Sequence, residues 1–537
     1  MTRPADAVSG TGWWRNAVIY QVYPRSFADG DGDGVGDLAG LLGRLPYIAS
    51  LGVDGIWLTP FQPSPQVDQG YDVSDYCGVE PLFGTLAQFD DLLEAAHTLG
   101  LRVILDVVPN HCSSEHPLFR AAVTAAPGSP ERAMFHVEDG LDGGPPNNWR
   151  SVFGGAAWSR IDPASEADRQ WYLHLFSAEQ SDWNWRNPAV GDYFEGVLRF
   201  WFDRGVDGLR IDVAHALFKA EGLPDAERPE DVVDGLRSNP QVSDHEEVHD
   251  VYRRWRRLAD SYSPARVLVG EVNLEPQRAA RYIRPDEMHQ AFAFAFATLG
   301  WDAAAWARIG TELDAARREH GAPPTWALEN HDLVRTATRF AFTPSDDGGR
   351  GVLRARAGLL AVLGLPGSAY VYQGQELNLP EVEVLPAARM DPMWTRSGVS
   401  RDGARVPLPW TVSPDNTFGF SPAYAGDPWL PTPPGWGATS VEAQERNVDS
   451  TLHLVRAALD LRRSLHEEGV LSSYDGGTWR AEDNGLLVCE RGEQFLVAVA
   501  MGDTPANLPD GDVLIASSAL TPEGLLPPDA SAWVRRV

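Results

Sequence analysis

The sequence predicts a (β/α)₈ barrel that carries a small inserted domain and ends in an antiparallel β-sandwich. Eight short β-branched or aromatic runs alternate with segments of helix length. The connection after the third run is far longer than a usual loop, and after about residue 462 the pattern changes to short strands separated by Gly, Asp and Pro. Strands that alternate with helices are typical of parallel βα units, and eight such units close a barrel.

The eight predicted strands are apolar or aromatic runs of the length that a barrel strand needs. In chain order they cover residues 17–23, 55–58, 102–107, 208–211, 266–269, 289–296, 325–328 and 368–372. Apolar positions three and four apart predict helices between several of them, as in 86–99 and 193–203. Two strands of the terminal domain are predicted over 486–489 and 495–500.

The connection between the third and fourth strands predicts an inserted domain, because it runs from about residue 109 to 176. A Pro- and Trp-rich stretch, 407–436, has no periodicity and predicts an ordered loop near the mouth of the barrel. The predicted domains are the first part of the barrel in 1–107, the inserted domain in 108–176, the remainder of the barrel in 177–460 and the β-domain in 461–537.

Composition argues against several classes of function. The 75 acidic residues exceed the 45 basic ones by 30, and a net charge of −30 repels a phosphate backbone or an anionic membrane surface. No run reaches the roughly 18 apolar residues of a spanning helix, and residues 1–9 do not resemble a signal peptide. Cys77, Cys112 and Cys489 are an odd set without metal-like spacing, which favours reduced thiols. We expect a cytoplasmic protein with no nucleic-acid or membrane partner.

Arginine supplies every basic residue except one, Lys219. A GC-rich genome and adaptation to salt are both compatible with this bias.

Polar residues follow the predicted barrel strands at their carboxyl ends, where barrel enzymes place their catalytic groups. They are Asp106 and His111 in DVVPNH, Arg210 and Asp212 in GLRIDVAH, Glu271 in GE, and His331 with Asp332 in ENHD. Singly, a strand-end Asp is more often a helix N-cap and a strand-end His a structural group. Together, they predict one shared site.

The order and spacing of these four motifs resemble the α-amylase superfamily of glycoside hydrolases. The resemblance extends to the opening WWRNAVIYQVYPRSF and to RDGARVPLPW from Arg401. These segments are similar to the branch of α-glucosidases and oligo-1,6-glucosidases, and in particular to its actinobacterial type. The resemblance implies a barrel enzyme that acts on small oligosaccharides.

The resemblance implies Asp212 as the nucleophile and Glu271 as the acid/base. Hydrolysis with retention needs two carboxyl groups about 5 Å apart, which the mouths of adjacent strands can provide. Arg210 lies two residues before Asp212, so that both side chains point the same way and the guanidinium favours an ionised Asp212. Asp332 is expected to bind two ring hydroxyls and to help keep Glu271 protonated.

Further sugar-binding residues come from the same resemblance. His111 and His331 are expected to donate hydrogen bonds to hydroxyl groups of the sugar. Asp68 and Tyr71, in DQGYDVSDY, match a carboxylate and an aromatic platform for the terminal sugar, and Arg401, with Arg405 as the alternative, matches the arginine that closes the pocket. A pocket closed in this way implies an exo-acting enzyme, which removes the terminal sugar of its substrate. Phe153 and Phe176 match pocket aromatics but fit core packing nearly as well, and Asp72 and Asp75 fit turns.

The segment DGDGDGVGD resembles the first part of a calcium loop. It lacks the distal glutamate of a full EF-hand, because position 12 is Gly40. We expect a structural Ca²⁺, with Mg²⁺ as the alternative, rather than a catalytic metal. The predicted ligands are Asp29, Asp31, Asp33, the carbonyl of Val35, and Asp37.

The sequence thus predicts a retaining exo-α-glucosidase, monomeric or homodimeric, that acts on maltose, malto-oligosaccharides and, as further candidates, isomaltose or sucrose. The alternatives are a transglucosylase or sucrose-acting relative, and, in another class, a catalytically silent sugar-binding accessory protein.

Overall fold

The computed structural model describes residues 12–164, 168–227, 236, 239–341, 349–413, 417–473 and 475–536. Eight parallel strands form its central sheet, as the sequence predicts. In chain order they are β1 (Val18–Val22), β2 (Gly55–Leu58), β3 (Arg102–Val107), β9 (Gly208–Ile211), β10 (Val267–Gly270), β11 (Gln290–Ala291), β12 (Thr325–Ala327) and β13 (Ser368–Tyr372).

The sheet is almost closed into a barrel. Its hydrogen-bonded order is β11-β10-β9-β3-β2-β1-β13-β12, and a parallel bridge between Phe292 and Thr325 joins its two ends. The sixth strand is shorter than predicted, because only Gln290–Ala291 is strand and Phe294–Ala297 is helical. An apolar run such as AFAFAFA fits a buried strand or a buried helix, so periodicity alone could not place this boundary.

Helices surround the barrel, and local sequence explains their limits. Helix α2 begins after Thr85, whose hydroxyl accepts from Gln88 N, and it buries Phe89, Leu92, Leu93 and Ala96 at helical spacing. None of the described helices is long and apolar enough to cross a membrane. The helices are α1 (Leu38–Leu51), α2 (Leu86–Thr98), α3 (Pro117–Thr124), α4 (Pro188–Asp203), α5 (Val248–Asp260), α6 (Pro276–Ala279), α7 (Phe294–Ala297), α8 (Ala303–His320), α9 (Thr336–Arg339), α10 (Arg350–Gly364), α11 (Pro392–Ser397), α12 (Val441–Glu445) and α13 (Thr451–Glu467).

The predicted insertion lies between β3 and α4 and forms two small antiparallel sheets. One pairs β4 with β8, and the other has the order β5-β7-β6. The pairing of His111 with Asp182 places the start of the insertion beside its end, next to the barrel mouth. The strands are β4 (His111–Ser113), β5 (Val137–Asp139), β6 (Trp158–Arg160), β7 (Gln170–Leu173) and β8 (Gln180–Asp182).

The C-terminal domain contains a five-stranded antiparallel sheet of order β14-β15-β16-β18-β17. One face packs on helices α8 and α10 of the barrel. On the other face, Leu508, Leu520 and Leu526 come from loops, so in the described residues the opposite layer of the expected sandwich is built from loops rather than from a second sheet. The strands are β14 (Gly477–Ala481), β15 (Leu486–Arg491), β16 (Phe495–Ala500), β17 (Asp512–Ala516) and β18 (Ala530–Arg535).

Candidate active site

A cavity opens at the carboxyl ends of the barrel strands, between the barrel and the insertion. Nine of the predicted site residues line it, namely Asp68, Tyr71, His111, Phe153, Phe176, Asp212, Glu271, Asp332 and Arg401. Two others, Arg210 and His331, are fully buried behind its wall. Val213, directly after Asp212, also lines the cavity, and four lining residues were not predicted, namely Val152, His215, Leu236 and Asn273. Asn273 lies two residues after Glu271, a spacing that could have identified it.

Arg210 joins the two central carboxyl groups. Its Nη1 donates to Asp212 Oδ1 at 2.7 Å, and its Nη2 lies 2.9 Å from Glu271 Oε2. The backbone brings the two residues together, because Glu271 N donates to Ile211 O across β9 and β10. From the sequence, Arg210 was predicted to lie beside Asp212 alone. Since it contacts both groups, the arginine does not by itself decide which of them carries a proton.

The electrostatics of this pair favour one shared proton. Burial and the charge of Glu271 raise the pKa of Asp212 well above its ordinary value, while Arg210 opposes this rise. Two carboxylates on one guanidinium repel each other, so a proton on Asp212 is held to a higher pH than on an isolated carboxyl. One proton and one negative charge are what an acid and a nucleophile require.

Asp106 supports the pair from beneath. This carboxyl group is buried and accepts from Arg210 Nη1 at 2.7 Å, Trp57 Nε1 at 3.1 Å and the Tyr71 hydroxyl at 3.1 Å. Burial raises the pKa of Asp106 to about 6, although Arg210 acts to lower it. Asp106 stands in the DVVPNH motif, but the sequence did not reveal that it shares Arg210 with Asp212.

Val213, directly after Asp212, has a left-handed backbone with φ 46°. This conformation is a clear outlier for a β-branched residue. It aims the amide at the neighbouring acid, since Val213 N donates to Glu271 Oε2 at 2.9 Å. Strain of this kind persists where the surrounding structure enforces it, and here it fixes Glu271 relative to Asp212.

Two arginines hold Asp332. Its Oδ1 accepts from Arg405 Nη2 at 2.7 Å and from Arg401 Nη1 at 3.0 Å, and His331 Nε2 lies 3.2 Å from Oδ2. Burial acts to raise the pKa of Asp332, but His331 and both arginines outweigh it and hold this pKa well below its usual value. Asp332 therefore presents a permanent negative charge to the cavity.

Arg401 closes one end of the cavity. Its Nη2 donates to Asp68 Oδ1 at 2.9 Å, whereas Arg405 donates to Gln69 Oε1 and contacts Asp332. Burial raises the pKa of Asp68 to about 6 against the effect of Arg401. The pairing of Asp68 with Arg401, rather than Arg405, is the arrangement that the sequence favoured.

Asp391, which the sequence argument missed, fixes Arg401. It accepts from Arg401 N at 2.6 Å, Nε at 2.9 Å and Nη2 at 2.8 Å. The ring of Phe153 lies 5.3 Å from the Arg401 guanidinium carbon. A bidentate carboxylate below an arginine restricts its rotamer, so the position of Arg401 is set before any ligand arrives.

Tyr71 stacks on His331, with parallel rings whose centroids are 5.3 Å apart. Both nitrogens of His331 are engaged, because Nδ1 accepts from Gln21 Nε2 at 2.8 Å and Nε2 lies 2.6 Å from the Tyr71 hydroxyl. His331 therefore supports Tyr71, and its predicted direct hydrogen bond to a sugar remains a prediction. Asp72, four residues after Asp68, accepts from Asp68 N at 3.0 Å, in a turn.

His111 forms the opposite wall with Phe176, whose ring centroid lies 4.8 Å away. Burial lowers the pKa of His111 to about 4, so this imidazole is neutral at physiological pH. Gln180 Nε2 lies 3.2 Å from His111 Nε2 and donates to Asp68 Oδ2 at 3.1 Å. Gln180, another residue that the sequence argument did not select, thus connects two predicted sugar ligands.

The aspartate-rich loop lies before α1, away from the cavity. Asp29, Asp31 and Asp37 present carboxylate oxygens within 4.8 Å of one another, and such hard oxygen donors suit Ca²⁺ or Mg²⁺. Asp33 lies outside this group, and its Oδ1 accepts from Val35 N at 2.8 Å. Three of the five predicted ligands therefore form a candidate site, and the roles of Asp33 and the Val35 carbonyl stay predictions.

Residues 21–468 match the family model for the α-amylase catalytic domain. The chain belongs to the α-amylase family. It is 39% identical over 478 residues to a probable α-glucosidase of Rhizobium meliloti, with 84% of this chain and 83% of the relative covered. It is 36% identical over 500 residues to the trehalose-6-phosphate hydrolase of Escherichia coli, with 86% and 85% covered. An oligo-1,6-glucosidase of Parageobacillus thermoglucosidasius is 33% identical over 497 residues, with 86% and 85% covered.

Solved structures of an α-glucosyl transfer enzyme and a trehalulose synthase share the fold. The α-glucosyl transfer enzyme XgtA superposes with a TM-score of 0.87 at 35% identity, covering 98% of this chain and 100% of that one. The trehalulose synthase MutB of Pseudomonas mesoacidophila gives a TM-score of 0.85 at 30% identity, with 98% and 100% covered. The family and the barrel predicted from the sequence are confirmed.

Proposed function

We propose that this protein is a retaining, exo-acting α-glucosidase that releases glucose from the non-reducing end of short α-glucosides. One observation carries the proposal. The Asp212–Glu271 pair lies in a cavity whose far end is closed by Arg401, which bridges Asp68 and Asp332. A closed end of this kind blocks the extension of a sugar chain past Arg401, which favours cleavage from the end of the substrate.

The first step transfers the glucosyl group to the protein. Glu271 gives its proton to the glycosidic oxygen as the bond from that oxygen to the anomeric carbon breaks, and an Asp212 oxygen bonds to the same carbon. The leaving sugar departs as a neutral alcohol. In the second step water attacks the anomeric carbon, its proton goes to Glu271, and Asp212 leaves as a carboxylate. Both groups return to their starting protonation states.

The remaining walls hold the glucose ring. Asp332 keeps its charge because Arg401, Arg405 and His331 surround it, and it accepts hydrogen bonds from ring hydroxyls while stabilising the positive charge that develops on the ring. Asp68 and His111 bind the other hydroxyls, and Tyr71 offers its ring as a stacking platform. Phe153, beside Arg401, and Phe176, beside His111, add aromatic surface to the walls.

A transglucosylase is the second candidate. Val152, Phe176 and Val213 give part of the cavity an apolar lining, which favours a sugar or another alcohol over water as the group that intercepts the intermediate. The likeness to XgtA and MutB supports this alternative. A catalytically silent accessory protein is disfavoured, because the carboxyl pair with its shared arginine is intact.

The proposal includes a structural divalent cation, Ca²⁺ or Mg²⁺, held by Asp29, Asp31 and Asp37. When bound, the ion would supply only charge compensation for the loop, since the loop lies outside the cavity. A cytoplasmic location, a monomeric or homodimeric state, and membership of the actinobacterial group are further parts of the proposal.

The test is a product profile from maltose, isomaltose and sucrose at low and high concentration. A hydrolase releases free glucose from maltose at all concentrations. New oligosaccharides that dominate at high concentration would assign the transglucosylase instead. If no glucose and no transfer product form, the protein is not an enzyme of this class.

A further inference from the structure

Lys219, the only lysine in the chain, is fully buried and lies between the barrel and the insertion. Its ammonium group contacts three oxygens. Nζ lies 2.8 Å from Asp182 Oδ2, donates to Asn110 Oδ1 at 2.9 Å, and donates to the carbonyl of Ala216 at 2.5 Å. The three donors of an ammonium are thereby all used.

Each of these oxygens belongs to a segment that builds the cavity. Asn110 precedes His111, at the end of β3. Asp182 is on β8, two residues after Gln180, which donates to Asp68. Ala216 lies four residues after Asp212, and its amide donates to the Val213 carbonyl. The ammonium thus joins the loop of the proposed nucleophile to two segments that hold the sugar wall.

Lys219 departs from the bias of the composition. Apart from the histidines, every other basic position in the chain is arginine. An ammonium is a compact point charge with three rotatable donors, whereas a guanidinium is planar and presents its donors in a rigid fork. The three oxygens around Nζ match the three donors of an ammonium, and a larger planar guanidinium does not match them in the same way.

We propose that Lys219 is a positioning residue, which sets the register between the loop of Asp212 and the wall formed by His111, Gln180 and Asp68. This inference rests on the proposed function. Its effect passes through Asp182 and Asn110, since Lys219 itself does not line the cavity. A shift of these segments displaces the sugar-binding groups from the reacting pair, and displacements of about 1 Å cost up to a hundredfold in turnover efficiency.

The first test compares Lys219→Arg, Lys219→Met and the double variant Lys219→Met/Asp182→Asn. In each, we expect kcat/KM for maltose to fall at least about tenfold, mostly through KM. The melting temperature should fall in both single variants and recover in the double variant, because no unpaired buried charge remains. KM should stay raised in the double variant. If KM also returns to the parental value, or if Lys219→Arg equals the parent, the proposal is wrong.

Arg186→Met is the matched control. Arg186 Nη1 donates to the Lys219 carbonyl and Nη2 contacts Glu247, so this change perturbs the same loop without touching Asp182 or Asn110. KM should be parental in this variant. A parent that does not cleave maltose would overturn the proposed function instead, and the two failures are therefore distinct.

A single lysine also permits a direct measurement. Protein grown with ¹⁵N-lysine gives one side-chain nitrogen signal, from Lys219. We expect a slowly exchanging ammonium signal that shifts when glucose saturates the cavity, because the cage and the sugar wall move together. Glucose binding is checked independently by competition with maltose. A signal that stays fixed while glucose binds would show a purely structural role and would overturn the proposal.

Discussion

Two clusters of aspartates in this protein are stabilised in different ways. At the cavity and directly behind its wall, Asp68, Asp332 and Asp391 contact arginine guanidinium groups. In the loop before α1, the carboxylates of Asp29 and Asp37 accept only from backbone amides, namely those of Gly30, Asp31, Gly32, Gly34 and Gly40. Among the residues that the structure describes, no arginine or lysine forms an ion pair with Asp29, Asp31 or Asp37.

The difference indicates what each cluster is built to hold. Arginines fix the position of these carboxylates and hold the pKa values of Asp332 and Asp391 below their ordinary range, so the site accepts an uncharged sugar without a further cation. The loop leaves its carboxylates close together with amide partners only, and burial raises the pKa of Asp37. A divalent cation would relieve that repulsion.

The largest effect is expected from Asp212→Asn. The change keeps the shape of the side chain but removes the oxygen nucleophile, and we expect turnover to fall by roughly four orders of magnitude or more. The melting temperature should stay close to that of the parent. Asp75→Asn, an exposed turn residue, is the control and should retain full activity. Turnover of Asp212→Asn within tenfold of the parent would refute the nucleophile assignment.

A smaller effect is expected when Arg401 loses its anchor. Asp391→Asn removes the charge that fixes the guanidinium, and kcat/KM for maltose should fall by about ten- to a hundredfold because Arg401 no longer holds Asp68 and Asp332 in place. Glu383→Gln, an exposed carboxyl of the same loop, should leave kcat/KM unchanged. Parental kinetics for Asp391→Asn would show that Arg401 is positioned without it.

The same pair predicts a pH dependence. Although burial acts to raise it, Arg401 lowers the pKa of Asp391 to about 2. A carboxyl group whose pKa is lowered by folding stabilises the folded state at any pH above its pKa in the unfolded chain, which is about 3.9. This contribution is lost as the pH falls toward 2. Between pH 4.5 and 8, Asp391→Asn should therefore lower the melting temperature by a constant amount. If the difference in melting temperature between the parent and Asp391→Asn varied across this pH range, the ion pair would be contradicted.

Some residues of the site could be predicted from the sequence and others could not, and the reason is geometric. Residues that stand at strand ends, such as Asp212 and Glu271, could be placed together because parallel strands end at one face. Asp391 lies in an irregular segment ten residues before Arg401. Gln180 lies on the short strand β8, far along the chain from Asp68 and His111, and no periodicity predicts either set of contacts. Lys219 was visible as the only lysine, but its burial between two domains was not.

The barrel strands also differ in how well the sequence predicted them. Seven barrel strands were predicted close to their observed limits, because each is a short apolar run bounded by turns. The sixth failed at its end, where Phe294–Ala297 leaves the sheet as a helix. Its apolar residues satisfy either structure, and only the closure of the barrel at Phe292 and Thr325 decides where the strand stops.

The loop cluster is tested by removing its cation. Chelation with EDTA should lower the melting temperature by a few degrees while kcat, measured below that temperature, stays unchanged, because a ligand that binds only the folded state stabilises it by mass action. Asp31→Ala should have the same lowered melting temperature and no further response to EDTA. An unchanged melting temperature, together with elemental analysis that finds no divalent ion, would eliminate the site.

The smallest effect concerns linkage preference, and it depends on Val213. In the oligo-1,6-glucosidases that the sequence resembles, a valine directly after the nucleophile goes with acceptance of α-1,6 bonds. The side chain of Val213 lines the cavity beside Glu271, where the leaving sugar departs. One such apolar contact contributes only about 1 to 3 kcal/mol of discrimination, so we expect isomaltose to be cleaved at no less than roughly a hundredth of the maltose rate.

The measurement is the ratio of kcat/KM for isomaltose and maltose in the parent and in Val213→Thr. Threonine keeps the branched shape and the left-handed strain but replaces a methyl group with a hydroxyl, so a change in the ratio reports the contact with the leaving sugar. Val213→Gly separates the backbone effect, because glycine adopts a φ of 46° without strain, while the loss of the buried valine side chain should lower the melting temperature. A parent that rejects isomaltose, or a ratio that does not change in Val213→Thr, would show that this position does not determine the linkage.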